Sequence, residues 1–467
     1  MTVRSASLVV GLMISLAVQA QHPYGYPRLM QGPMVGPPTP DSITIWGRTS
    51  GEFECFFRYS EHPDMRDAQT SERVSAKKAD DYTVTMRATG LKPDTAYYYQ
   101  VFCRDRPAAD TAGMPPFKTK TAPAGNAVGR FRVAFGSCAR LDEDALQPIW
   151  RVVEQLEPDL FFWVGDNVYG DTLDPDIIAE EYRHQRLIPA FQPTMRSVPQ
   201  FAIWDDHDYG LNNHDRRNPI KEGALRAFKR YWPNPSYGLP GTPGIFFKYA
   251  YGGVDFFFLD GRYHRSPNAE PDSPRKSMLG AEQREWLKRE LKSSRAPFKV
   301  LICGSPWNES YGPAGDSWSA FRHERDGLFD FIRDENITGV VLAAGDTHWG
   351  ELNCMPRSEH GGYDLYEFVS SPLAQHTWGT AYQYVPDLRI RPVVTEGSNV
   401  GIIDFDLSAN PPAVTYSVYT HYGHSAWTPL TLSTDDLRNG VRSWDKKISP
   451  DAKKANAWGK AGKAATE

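Results

Sequence analysis

The sequence predicts an α/β protein preceded by a smaller all-β region, and three observations predict it. Residues from about 28 to 122 alternate apolar and polar side chains with period two between clusters of turn residues. From Arg130 onward, short apolar runs alternate with segments of helical periodicity, the pattern of helices layered on a sheet. At 467 residues the chain exceeds one ordinary core, so two domains are expected, and 40% hydrophobic with 13% aromatic content excludes a disordered chain.

Taken in order, the first twenty residues read as an export signal. Arg4 supplies the positive start, Leu8 to Val18 an apolar stretch too short to span a bilayer, and Val18-Gln19-Ala20 small residues before a cut. An uncleaved anchor is the alternative. Cleavage after residue 20 leaves Gln21 first and takes one arginine from the chain, moving the formal net charge from −5 to −6. A periplasmic or secreted protein without stable membrane insertion is expected. The negative charge argues against nucleic acid as a partner, because duplex binding needs a basic face.

Within the β region, Ser42-Ile43-Thr44-Ile45-Trp46, Cys55-Phe56-Phe57-Arg58-Tyr59 and Tyr82-Thr83-Val84-Thr85-Met86 read as strands. The segment from Gly90 to Val101, with Pro93, Asp94 and Tyr97-Tyr98-Tyr99, resembles the strand entry of fibronectin type III domains, where a tyrosine ties a corner to nearby backbone. A strand from Pro116 to Thr121 closes the region, and Ala122-Pro123-Ala124-Gly125 reads as a linker.

The second region carries three predicted helices. Residues 143–156 align Leu146, Ile149, Trp150, Val153 and Leu156; residues 279–292 align Leu279, Trp286, Leu287 and Leu291; residues 323–335 offer Leu328, Phe331 and Ile332. Apolar runs at 253–259, 298–303 and 339–344 lie between or beside them, and residues 402–407 with 413–419 read as a hairpin. Residues 431–467 gain lysine and lose aromatics, so a flexible tail is expected. Asn308 and Asn336 head sugar-acceptor triplets.

Five cysteines leave one without a partner. Cys55 with Cys103, and Cys303 with Cys354, are plausible bridges. Cys138, after the strand-like run Phe131-Arg132-Val133-Ala134-Phe135, is open to two readings, a thiolate ligand or a small buried side chain. Its position at a strand end favours the first.

Donor residues recur at strand ends. Phe161-Phe162-Trp163-Val164 runs into Gly165-Asp166 with Tyr169 three positions on. Residues 198–204 end in Asp205-Asp206-His207-Asp208, and residues 340–344 in Gly345-Asp346-Thr347-His348. An aspartate there also serves as a helix cap. Three acids and a histidine in sequence, however, repel unless a cation neutralises them. Donors at i and i+2 of an extended segment point apart, which suits two metals better than one. The layout is that of a metal site at a sheet rim and of metal-assisted hydrolysis.

At these residues the chain resembles the alkaline phosphatase D (PhoD-like) family of metallophosphatases. The likeness runs from residue 28 to about 430 and includes Leu259-Asp260-Gly261-Arg262 and Met278-Leu279-Gly280-Ala281-Glu282-Gln283. It implies a fibronectin type III-like N-terminal domain (28–122) before a four-layer α/β/β/α metallophosphatase domain (126–430). It further implies Fe3+ held by Cys138, Asp166, Tyr169 and His348. A second cation, Ca2+ or another hard ion, would be bridged by Asp166 and held by Asp206 and Asp346, with Asp205 and Asn212 as alternatives to Asp206. Thiolate and phenolate suit iron, and an all-oxygen set suits calcium.

The implied reaction is attack of a metal-bound hydroxide on a phosphate ester. His207 would protonate the leaving oxygen with Asp208 orienting it, and Arg262 would meet phosphate oxygens or form a structural ion pair. Gly304-Ser305-Pro306 stands where the family has another ligand motif. Diesters, monoesters and phospholipid headgroups are candidate substrates, and His376-Thr377-Trp378, Tyr382 and Tyr384 candidates for a substrate rim. A non-catalytic surface-binding protein on the same scaffold is the alternative from another class.

Overall fold

The computed structural model describes residues 26–104, 106–108, 113–125, 129–309, 312–313, 315–378 and 389–455. The signal segment, Tyr382, Tyr384 and residues 456–467 lie outside them.

The N-terminal region holds strands β1 (Leu29–Val35), β2 (Ser42–Thr49), β3 (Glu54–Ser60), β4 (Thr83–Thr89), β5 (Ala96–Cys103) and β6 (Phe117–Lys120). Antiparallel β1-β2-β4 form one sheet, and β3 and β6 flank β5 in another. Alternation explains both: Val84, Met86 and Ala88 of β4 and Tyr97, Tyr99 and Val101 of β5 turn into a shared core while their neighbours are more exposed. The corner is tied as expected, with the Lys92 N–H donating to the Tyr97 hydroxyl at 3.0 Å. This region also docks on the rest of the chain. Trp46 Nε1 donates to the Arg230 carbonyl and the Tyr99 hydroxyl to the Arg196 carbonyl, both at 2.7 Å.

The second region is α/β and opens with β7 (Arg130–Gly136), α1 (Ile149–Leu156), β8 (Leu160–Val164), α2 (Pro175–Gln185), α3 (Gln192–Ser197) and β9 (Gln200–Ile203). Next come α4 (Lys221–Tyr231), β10 (Phe247–Tyr251), β11 (Val254–Phe258), α5 (Ala281–Ser293), β12 (Lys299–Cys303) and α6 (Arg322–Asp334). It ends with β13 (Val340–Ala344), β14 (Glu351–Met355), β15 (Leu365–Val369), β16 (Asn399–Asp406), β17 (Ala413–Thr420), β18 (Leu430–Ser433), α7 (Trp444–Lys447) and α8 (Pro450–Ala455).

Two mixed six-stranded sheets result, in the orders β9-β8-β7-β16-β17-β18 and β10-β11-β12-β13-β15-β14. Strands β7, β8 and β9 run parallel in the first; β11, β12, β13 and β15 run parallel in the second. The sheets meet through aromatic side chains, including Phe162 on Phe258 at 4.9 Å and Phe368 on Tyr416 at 4.4 Å between ring centres. Burial on both faces is why β8, β11, β12 and β13 read as continuous apolar runs rather than alternating ones.

Four expectations need correction. The first helix begins at Ile149, because Pro148 stands before it and the Asp144 carboxylate caps a turn by accepting from the N–H groups of Leu146 and Gln147; Leu146 is exposed. Residues 431–452 are not a free tail. Strand β18 pairs with β17, Leu437 and Ala452 are fully buried, and the Ser443 N–H donates to Asp364 at 2.7 Å. Cys303 and Cys354 sit on strands three places apart in one sheet, roughly 14 Å at the usual strand spacing, beyond disulfide reach. Cys55 and Cys103 do face each other across β3 and β5, with free sulfurs 3.2 Å apart. Finally, Asn308 is fully buried with its amide donating to Glu367, so it offers no sugar acceptor.

Candidate metal centre

The loops that leave the C-terminal ends of the parallel strands of both sheets converge on one point. Ser137-Cys138 follows β7, Gly165-Asp166 follows β8, and residues 204–208 follow β9. From the second sheet come Gly304-Ser305 after β12, Gly345 to His348 after β13, and Ser370-Ser371 after β15. Because parallel strands all end at the same edge, donors far apart in sequence meet there.

Backbone conformation and close approach shape these loops. Cys138, Asp166, Asp346 and His348 all adopt left-handed backbone, with φ of 58°, 49°, 67° and 57°. Non-glycine residues pay for that conformation, and such strain collects where a side chain must be aimed. Gly345 permits the contact between loops, since a Cβ there would lie 2.4 Å from Ser137 Oγ. The Ser137 hydroxyl in turn accepts from the Asp346 N–H at 3.1 Å.

Two groups of donors share Asp166. On one side, Cys138 Sγ lies 3.4 Å from Asp166 Oδ2, and the Tyr169 hydroxyl lies 3.3 Å from His348 Nε2. On the other, Asp205, Asp206 and Asp346 each bring an oxygen within 4.8 Å of the others, as Asp166, Asp206 and His207 also bring ligand atoms. The donor chemistry is a thiol, a phenol, an imidazole and a carboxylate beside an all-carboxylate cluster.

The electrostatics are unbalanced without cations. Burial, with Asp206 close by, holds the Asp166 carboxyl well above its usual range; burial, with Asp205 and Asp206, does the same to Asp346. Burial and Asp346 push the Cys138 thiol up to about 12. Burial and His376 push His348 down to about 4, leaving a neutral ring. Asp205 Oδ2 is buried with no hydrogen-bond partner, and Asp206 Oδ1 has only a 3.4 Å approach from Arg262. Orphaned buried carboxylate oxygens are what a bound cation would satisfy, so the residues fit a metal site.

Arg262 occupies a place of its own. Its side chain is 0% exposed and is committed to Asp205 and, at 2.6 Å, to Asp316, while Arg265 also pairs with Asp316 at 2.6 Å. It has no surface left for a substrate. Ser305 accepts from Arg265 at 2.9 Å and belongs to this same bracing network. Asn212 is exposed; its neighbour Asn213 instead donates its N–H to Asp206 at 2.7 Å.

His207 stands at the mouth, its ring stacked on Tyr169 at 4.2 Å. Burial works against charging it, but Asp206, Asp166 and Asp171 outweigh that and push it up to about 11. Asp208 does not orient it. That carboxylate is fully buried and accepts from the N–H groups of Asp205 at 2.8 Å and Asn167 at 3.1 Å. Asp171 meets the imidazole instead, with Oδ1 2.5 Å from Nδ1. The exposed Trp378 donates its indole N–H to His348 Nδ1 at 3.0 Å, and His376 pairs with Glu143 at 2.6 Å.

Sequence reasoning passed over Asp171 and Asp316. Asp171 had a signal, an acid five positions beyond Asp166 in the same loop. Asp316 had none, lying 54 residues from the arginine it holds.

Comparison with known proteins returns one consistent group. The family model described as PhoD-like phosphatase matches residues 133–406, and that of the PhoD-like phosphatase N-terminal domain matches residues 15–123. Alkaline phosphatase D of Bacillus subtilis (strain 168) is 26% identical over 410 residues, covering 73% of this chain and 69% of that protein. Human tartrate-resistant acid phosphatase type 5 is 24% identical over 238 residues, covering 47% of this chain and 71% of its own. Among solved structures, one of PhoD superposes with a TM-score of 0.72 at 19% identity, covering 94% of this chain and 98% of that one. The purple acid phosphatase PPD1 of yellow lupin seeds superposes at 0.58 and 14% identity, covering 91% and 75%.

Proposed function

The chain belongs to the PhoD-like phosphatase family and is a metal-dependent hydrolase of phosphate esters, and from that premise we propose how its residues divide the work. One observation carries the reading: donors from separate strand-end loops meet around Asp166, with buried carboxylate oxygens left unpartnered beside them. Cys138, Asp166, Tyr169 and His348 would hold Fe3+; Asp206 and Asp346, with Asp166 as bridge and Asp205 close by, would hold Ca2+. When bound, such a pair supplies Lewis acidity at the phosphoryl group and activates water.

The chain's own groups do the rest. Asp166 joins the two donor groups, so their spacing is set by one side chain. His207, at the half-open mouth, gives a proton from Nε2 to the departing oxygen. Arg262 acts on the carboxylates and leaves the substrate alone, holding Asp205 and Asp206 in place through its buried ion pairs. The architecture around this centre reads as a fibronectin type III-like domain (28–122) followed by a four-layer α/β/β/α domain from residue 126. A cleaved signal over residues 1–20 would deliver it to the periplasm or exterior. No described helix is long and apolar enough to cross a membrane.

A phosphodiester is the favoured substrate and a phosphomonoester the next. A phospholipid is a second reading with its own observation: the exposed Leu146, Leu173, Ile177, Leu211 and Trp378 all sit on or next to loops that carry the site. Turnover of a bis-aryl phosphate, an aryl monophosphate and phosphatidylcholine, run beside metal analysis, separates these. Iron and calcium near one each with fastest diester turnover is the expected result. Full activity in protein free of both metals would overturn the assignment.

A further inference from the structure

We propose that Asp171 is the positioning residue of His207, turning Nε2 of the imidazole toward the scissile ester while it holds Nδ1. The inference rests on the reading of His207 as the group that protonates the leaving oxygen. Asp171 Oδ1 lies 2.5 Å from His207 Nδ1, and His207 Nε2 faces inward, 3.9 Å from Asp206 Oδ2. With one ring nitrogen taken by a carboxylate, only the other is left for chemistry.

The two loops are also joined through backbone. The Gly170 N–H donates to the His207 carbonyl at 3.0 Å, and the His207 N–H donates to Asp166 Oδ1 at 3.3 Å. Asp166 and Asp171 thus belong to one loop that reaches the metal cluster with its first acid and the imidazole with its second. Asp171 adopts φ 43°, a left-handed conformation that an aspartate does not take without cost. Its side chain is 37% exposed, and an ion pair that open adds little to stability. So weak a structural return points to orientation as the purpose. The rival carboxylate, Asp208, has its oxygens taken by Asp205 and Asn167.

The reaction balances without another reagent. Water brings the incoming oxygen; as its bond to phosphorus forms, the bond to the leaving oxygen breaks. The electron pair of that bond stays on the leaving oxygen, which takes the Nε2 proton. The proton shed by the incoming water restores Nε2–H, and Nδ1 keeps its own proton, donated to Asp171, throughout.

The test uses a series of aryl phosphate esters whose leaving phenols range from p-nitrophenol to unsubstituted phenol, with wild type, Asp171→Asn, Asp171→Ala and His207→Asn. An acidic leaving group needs no proton and a poor one does. Asp171→Ala should lose about 10–100-fold in kcat on the phenyl ester and under about 3-fold on the p-nitrophenyl ester. Asp171→Asn should fall between, with metal content unchanged in both. A loss by both Asp171 variants that is equal across the series, or that follows lost metal, overturns the proposal. Steep leaving-group dependence in His207→Asn but none in either Asp171 variant refutes Asp171 alone. A flat series in His207→Asn removes the acid reading and the inference with it.

Discussion

The two sides of the centre are braced by different means. The carboxylate side rests on buried ion pairs, with Arg262 and Arg265 fully enclosed and Asp316 locked between them. The thiol–phenol side is braced differently, with the Arg140 guanidinium over the Tyr169 ring at 5.1 Å. Its side chains are held by left-handed backbone at Cys138 and His348, by the hydroxyls of Ser137 and Ser371, and by the exposed indole of Trp378. Like charges brought together in a low dielectric need a counter-charge even before a cation arrives. Thiol, phenol and neutral imidazole carry no such demand, so hydroxyl, indole and stacking contacts serve to aim them.

Asp166 belongs to both sides, and breaking it should have the largest effect. Asp166→Asn is expected to remove both metals and several kcal/mol of charge stabilisation, a loss on the order of 10³-fold in kcat/KM. Metal analysis with steady-state kinetics checks it; one metal retained at full level would show that the sides are independent. Next comes the ionic brace. Arg262→Met leaves Asp205 and Asp316 without their partner and should cost about 3–5 kcal/mol of folding stability, read by denaturant unfolding. If that variant is as stable as the parent, the ion pairs do not brace the carboxylate side.

How much of this was legible in the chain follows from where the information lies. Strand ends carrying Asp166, Asp206 and Asp346 announce themselves because an apolar run followed by acids is a local pattern, and the parallel sheets then gather them. In the sequence Arg262 is open to two readings, a phosphate contact or a structural ion pair. Only the approach of Asp316 from a distant loop shows that its charge is spent internally. The choice between Asp171 and Asp208 for His207 likewise turned on folding back. Proximity in sequence favoured Asp208, whereas the short loop after Asp166 delivers Asp171 to the ring. The C-terminal residues misled through composition: four buried apolar side chains, Leu432, Leu437, Ile448 and Ala452, are enough to dock a segment otherwise rich in lysine.

A narrower effect should follow from disturbing the thiol–phenol side alone. If Cys138 and Tyr169 hold ferric iron as proposed, phenolate and thiolate give it a visible charge-transfer band, and Tyr169→Phe should shift or bleach that band while the second metal stays bound. Turnover is expected to fall about 10–100-fold, the range for a lost group around a metal. An unchanged spectrum would mean that the phenol is not a ligand.

The smallest expected effect separates the brace from the cluster it supports, and it depends on pH. Burial opposes ionisation of Asp316, but Arg262 and Arg265 outweigh it and hold the carboxyl below its usual range. A carboxylate depressed on folding contributes stability that is complete above its unfolded value of about 3.9 and drains away as pH falls toward the folded value. Asp346, whose folded carboxyl lies above its usual range, has the opposite sign: in metal-stripped protein, acidification toward about pH 4 relieves its repulsion from Asp205 and Asp206. Stripped wild type should therefore lose stability steeply only below about pH 4. Asp316→Asn should flatten that limb on a lower plateau, because Arg265 loses its carboxylate partner. Melting curves across pH 3 to 7 decide the matter. A variant whose acid limb matches the parent would mean that Arg262 and Arg265 draw their compensation from Asp205 and Asp206, and that the two sides are less distinct than their geometry suggests.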